Sequence, residues 1–145
     1  MLFGMSVDWA RWQPRMLAVL RIFVALVYLE SGLSKFFGFP APAPANFTLF
    51  SLMGLAAVIE TVGSILLLLG LFTREAAFFM SGEMAVAYFM VRAPLSFYPL
   101  VNGGRLDAVL CFLFLYFVFA GPGAWSLDSH RAAVRPLTSA DAVRR

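Results

Sequence analysis

Arg21, Lys35, Glu60 and Glu83 each interrupt a long apolar run, and Tyr28, Asn102 and Asp107 lie in or beside such runs. Charges held away from water either neutralise one another in ion pairs or line a cavity that receives a polar ligand. Two chemistries are therefore open to this set: a buried salt-bridge core that fixes helix register, or a pocket for a small polar or quinone-like molecule. Cys111 is the sole cysteine, so dithiol redox chemistry would need another protein. Phosphate-binding glycine loops and paired metal-ligand motifs are absent, and the single histidine, His130, lies near the C-terminus, which excludes a histidine-rich metal centre.

Helical geometry sorts these residues by face. At about 100° per residue, Arg21, Tyr28, Gly32 and Lys35 fall on one side of a first helix, and Glu30 points the other way, toward the outer interface or a second subunit. On a second helix Ala56, Ala57, Gly63 and Ser64 surround Glu60, and such small residues let neighbouring helices approach closely. Glu83 shares a face with Ala76, Ala87 and Met90, and Asp107 shares one with Cys111 and Phe114. Each helix thus offers one polar stripe to an interior. Lys35, Asn102, Arg105 and Asp107 belong to the outer third and Glu60 and Glu83 lie deeper, which together makes a funnel. Cys111 is expected to be a buried apolar thiol.

The elements that carry these stripes follow from composition. With 61% hydrophobic and 13% charged residues, the chain lies outside the range of soluble domains, and it is expected to be a one-domain integral membrane protein. Spans are predicted at residues 16–37, 47–71, 74–91 and 104–121, within a transmembrane domain of residues 16–128. About 20 apolar residues rising 1.5 Å each cross a hydrocarbon layer of roughly 30 Å. Residues 1–15, with Trp9, Arg11, Trp12 and Arg15, form an interfacial segment. The sequence GFPAPAPAN at residues 38–46 cannot continue a helix and is a stiff connector. A signal peptide ending near residues 41–45 is the competing reading, but Arg21 and Glu30 break its apolar core, so the segment is expected to be retained. Thr73 is a candidate N-cap for the third helix, Asn102, Gly103 and Gly104 form a turn, and residues 129–145 form a polar tail that frays.

Four spans with short connections imply an all-α membrane protein, an antiparallel four-helix transmembrane bundle. Arg11, Arg15, Arg74, Arg131, Arg135, Arg144 and Arg145 fall on one side, against Lys35, Arg92 and Arg105 on the other, which predicts that both termini are cytoplasmic. The net charge of +3 is therefore a topology signal rather than a mark of nucleic-acid binding. The lipid bilayer is the first partner.

Several short stretches bear a family likeness. They are Arg21, SGLSK at residues 31–35, Glu60 followed by LLLLGLFTR at residues 66–74, MAVAY at residues 84–88, NGG at residues 102–104 and GPGAWSLD at residues 121–128. In this order and spacing, residues 20–128 resemble the DoxX family of small bacterial four-span membrane proteins. The resemblance implies a multi-pass protein of the bacterial inner membrane. The family is named for likeness to a subunit of an archaeal thiosulfate:quinone oxidoreductase, and other members are associated with oxidative-stress or thiol-handling systems. It thus implies an accessory or quinone- or thiol-linked subunit of a membrane redox system, with quinone as the candidate cofactor and redox proteins or a second copy as partners. The expected ligand or ion-pair cluster is Arg21, Tyr28, Lys35, Glu60, Glu83, Asn102 and Asp107, with no metal and no catalytic residue assigned. Ser31 and Arg92 stand where histidine is frequent in the family, and Arg105 stands where glutamate usually follows NGG, so two titratable groups are lost and one charge is reversed. The rival readings are a small carrier or permease, for which no inverted repeat is evident, and a purely structural partner of another membrane protein.

Overall fold

The computed structural model describes residues 8–134, and among them the secondary structure is helical with no strand. The order is α1 (Trp9–Phe37), α2 (Leu52–Leu69), α3 (Thr73–Ala87) with a π-helical turn (Tyr88–Arg92), α4 (Pro99–Asn102), α5 (Arg105–Ala120) and α6 (Leu127–Val134). By length and composition α1 and α2 can each cross a membrane. Large apolar side chains such as Phe23, Phe78, Phe79, Phe112 and Phe119 point outward, away from the core.

The helix ends depart from expectation where tertiary contacts supply the caps. The expected interfacial residues 9–15 are already helical, and Pro14 lies inside α1. Its missing N–H leaves the Ala10 carbonyl without its helical donor in an exposed stretch, where water can serve. α2 begins only after Ser51, whose hydroxyl accepts the Gly54 N–H at 3.2 Å. Gly70 closes α2 in the left-handed conformation that glycine tolerates. Thr73 is not the N-cap of α3. Phe72 precedes it with φ 49°, and the Phe72 and Thr73 N–H groups donate to the Asp128 carboxylate at 3.0 and 2.9 Å. Burial alone would raise the Asp128 pKa, but these two N–H groups, with Arg131 nearby, outweigh it and hold Asp128 below its ordinary value. Of the tail expected to fray, residues 129–134 are helical in α6, whose Asp128 N–H donates to the Gly70 carbonyl at 2.9 Å, and the rest lies outside the described residues. Arg135, Arg144 and Arg145 lie outside the described residues.

α1 packs on α2, α2 on α3 and α3 on α5. Gly32 of α1 lies against Thr61 of α2, and Gly63 of α2 admits Met80 of α3; a Cβ at Gly63 would stand 2.8 Å from the Met80 sulfur. The shared core includes Val24, Tyr28, Leu67, Met80, Phe114 and Phe117, with the Tyr28 and Phe114 rings edge to face at 5.0 Å. The molecule has two ends. Pro14, the α2–α3 turn and residues 121–134 gather at the turn end; the connector of residues 38–51 and the loop of residues 93–104 lie at the loop end.

Candidate functional site

The polar stripe of α1 serves two places. Toward the loop end, Lys35 forms an ion pair with Glu60 of α2 that engages both carboxylate oxygens, and Ser31 donates to Oε1 at 3.2 Å. The Glu60 side chain is 3% exposed and that of Lys35 is 19% exposed. Gly32, buried against Thr61, sets the close α1–α2 approach that makes this contact reachable. One turn earlier, Tyr28 donates to Glu83 Oε2 at 2.5 Å. From the π turn, Arg92 Nε pairs with Asp107 Oδ2 at 3.0 Å.

These groups surround one cavity of about 880 Å³. Three residues outward from the Gly63–Met80 contact lie Glu60 on α2 and Glu83 on α3, so the two carboxylates stand at the same height where the α2–α3 seam begins to part. Tyr28, Ser31, Lys35, Glu60, Glu83, Arg92 and Asp107, with Asn46, Thr48 and Ser51 of the connector, form the polar part of the lining. Leu52, Leu55, Ile59, Phe78, Phe79 and Val86 form an apolar wall along the seam, and of these Leu52, Leu55, Phe78, Phe79 and Val86 are exposed on the outer surface.

Arg21 does not join this cluster. It is fully buried, and its guanidinium donates to the carbonyls of Leu67 at 2.8 Å and Trp125 at 2.9 Å. It thereby satisfies the C-terminal carbonyls of α2, where a cation is also favoured by the helix dipole. Fourteen residues separate Arg21 from Lys35, about 21 Å along a helix. Sharing a face did not mean sharing a height. Asn102 also lies outside the cavity lining: its amide donates to the Ser96 carbonyl at 2.6 Å and accepts the Gly104 N–H at 2.7 Å, so its hydrogen bonds go to its own loop.

Five polar cavity residues were missed as members of the cluster: Ser31, Arg92, and Asn46, Thr48 and Ser51 of the connector. Ser31 was legible, since it lies one helical turn before Lys35. Arg92 was not, because the wider π turn changes the angular phase after Ala87. That turn brings Tyr88 and Arg92 inward, with Tyr88 donating to the Phe97 carbonyl at 2.6 Å, and leaves Met90 62% exposed rather than on the Glu83 face. Glu30 is exposed, on the side opposite the stripe as expected. Cys111 is only partly buried, and its carbonyl accepts the Ser81 hydroxyl at 2.8 Å.

The cavity can bind a molecule that both gives and takes hydrogen bonds. Arg92 uses Nε on Asp107, and its terminal nitrogens have no partner among the described residues. Glu83 has Tyr28 as its one hydrogen-bond donor among them. In formal charge, Glu60, Glu83 and Asp107 face Lys35 and Arg92, so the lining carries one more carboxylate than cation.

The DoxX family model matches residues 16–93 of the chain. An uncharacterized protein of Haemophilus influenzae is 46% identical over 124 residues, covering 82% of this chain and 92% of the relative. An uncharacterized membrane protein of Mycobacterium tuberculosis is 28% identical over 131 residues, covering 79% and 80%. A second uncharacterized H. influenzae protein is 29% identical over 136 residues, covering 85% and 87%. No solved structure matches the chain.

Proposed function

The chain belongs to the DoxX family, and from that premise we propose that it is a multi-pass protein of the bacterial inner membrane that binds a quinone-like molecule as an accessory subunit of a redox system. In this reading α1, α2, α3 with its π turn, and α5 are four spans that cross in alternate directions. The turn end faces the cytoplasm. Arg11, Arg15, Arg74 and Arg131 support that side, against Lys35, Arg92 and Arg105 at the opposite end. The relative in M. tuberculosis is itself called a membrane protein, which supports the membrane reading.

The observation that carries the binding reading is the cavity, polar on one side and apolar along a seam that faces outward. Its volume lies in the range of small-molecule sites, roughly 300–1,000 Å³. Between the two ligand classes the family suggests, an anionic thiol compound and a quinone, the formal excess of one carboxylate favours the uncharged quinone. The ring carbonyls of a quinone accept hydrogen bonds, which Lys35 and the terminal nitrogens of Arg92 can supply; a quinol hydroxyl can donate to Glu83. A lone cysteine leaves dithiol chemistry to a partner protein.

Purification in mild detergent followed by organic extraction and mass spectrometry tests this reading, together with quinone-dependent thiosulfate oxidation by membranes with and without the protein. Copurifying quinone near one per chain is expected. A folded protein that carries none and leaves thiosulfate oxidation unchanged would overturn it.

A further inference from the structure

We propose that the outer seam between α2 and α3 is a lateral portal to the lipid phase, kept open by Gly82, in which a single hydrocarbon chain lies while its uncharged polar head sits among Tyr28, Lys35, Glu60 and Glu83. This rests on the reading of the cavity as a ligand site and adds how the ligand reaches it and where its chain lies.

Gly82 carries the inference. Apart from proline, glycine is the residue least suited to a helix interior. Gly32, Gly54 and Gly63 each have a packing reason, since a Cβ would strike Thr61, the Leu49 carbonyl or Met80 respectively. Gly82 is exposed at the mouth of the cavity that it lines, and nothing lies within 4 Å of a built Cβ there. Its missing side chain therefore accommodates no neighbour; it leaves space.

That space lies in the right place for a chain entering from lipid. Phe78, Phe79 and Val86 stand one turn to either side of Gly82 on α3, 60%, 62% and 42% exposed, and all three line the cavity. Across the seam α2 presents Ala56 and Ile59. At the polar end, the one-carboxylate excess opposes an anionic head such as that of a fatty acid, and the uncharged head follows from the quinone reading on which this rests.

The test uses the full-length protein in phosphatidylcholine nanodiscs, photolabelled with hexadecanol carrying a mid-chain diazirine and then peptide-mapped. Wild type should be labelled on both walls, at Ala56 on α2 and around Gly82 and Glu83 on α3. Gly82→Leu should lose at least tenfold of that labelling, Gly82→Ala much less, and labelling of the outward Phe112 should stay unchanged. Ala56→Leu narrows the portal from the other wall and should act like Gly82→Leu, which keeps the test decisive if one variant fails to fold. Equal labelling of wild type and both leucine variants, or no label on the inner walls of wild type, would overturn the portal. Decylubiquinone binding is measured separately on the same samples. A portal that admits hexadecanol and closes in the variants, in a protein that binds no quinone, leaves the portal standing and refutes the quinone head alone.

Discussion

Glu60 is among the most buried charged groups in the chain, and its stability depends on one cation. In Lys35→Met the carboxylate would remain buried without its partner, which costs about 3–5 kcal/mol for such groups. The expected outcome is a large fall in the thermal midpoint in detergent, with most of it recovered in the double variant Lys35→Met/Glu60→Met. A double variant as unstable as the single would contradict the ion-pair account. Glu83 plays a different part, since Tyr28 holds it without a cation. Glu83→Gln should keep the fold and weaken quinol binding about tenfold, the loss expected for one charge-assisted hydrogen bond from the quinol hydroxyl. Spacing along the polar faces of α1, α2 and α3 made Tyr28, Lys35, Glu60 and Glu83 legible from the sequence. Arg21 and Asn102 were misplaced for a physical reason: their partners are backbone carbonyls and an amide, which no residue type announces.

Elements are joined here mostly by side chains that cap someone else's helix. Arg21 binds α1 to the end of α2 and to the Trp125 carbonyl, and Arg74 donates to the Phe119 carbonyl at 2.9 Å near the end of α5. Arg21→Met would take the charged donor from the Leu67 carbonyl, which keeps the Gly70 N–H at 3.1 Å, and would remove the bond to the Trp125 carbonyl; losing hydrogen bonds to a charged group costs about 1.5–3 kcal/mol. A thermal midpoint equal to wild type would count against the staple. Asp128 does the corresponding work for α3 through α6. Because its folded pKa is lowered, its contribution is present above the unfolded value of about 3.9 and is lost as pH falls through the lower folded value. Exchange of the Phe72 and Thr73 amides should therefore accelerate in acid relative to the intrinsic rate, and Asp128→Asn should show weaker protection already at neutral pH. The existence of the four long helices was legible from apolar runs. Their starts were less so, because the Asp128 cap and the π turn arise from tertiary contacts rather than from local propensity.

Taken whole, the molecule presents large apolar side chains outward along its helices and buries Arg21 and Glu60 within, an arrangement a bilayer rewards. Hydropathy made that class legible, and the family likeness narrowed it. The cavity was legible only as a set of polar stripes. Its shape depends on where the α2–α3 seam parts, and that is decided by Gly63 against Met80 and by the emptiness beside Gly82. The central claim is that this space binds an uncharged, quinone-like molecule. The most direct measurement is equilibrium binding of decylubiquinol, whose hydroxyl can donate to Glu83, to the full-length protein in nanodiscs, compared between wild type and Glu83→Gln. The account predicts saturable binding of one molecule per chain that weakens about tenfold in the variant; partition into the lipid alone, identical for both folded proteins, would contradict it.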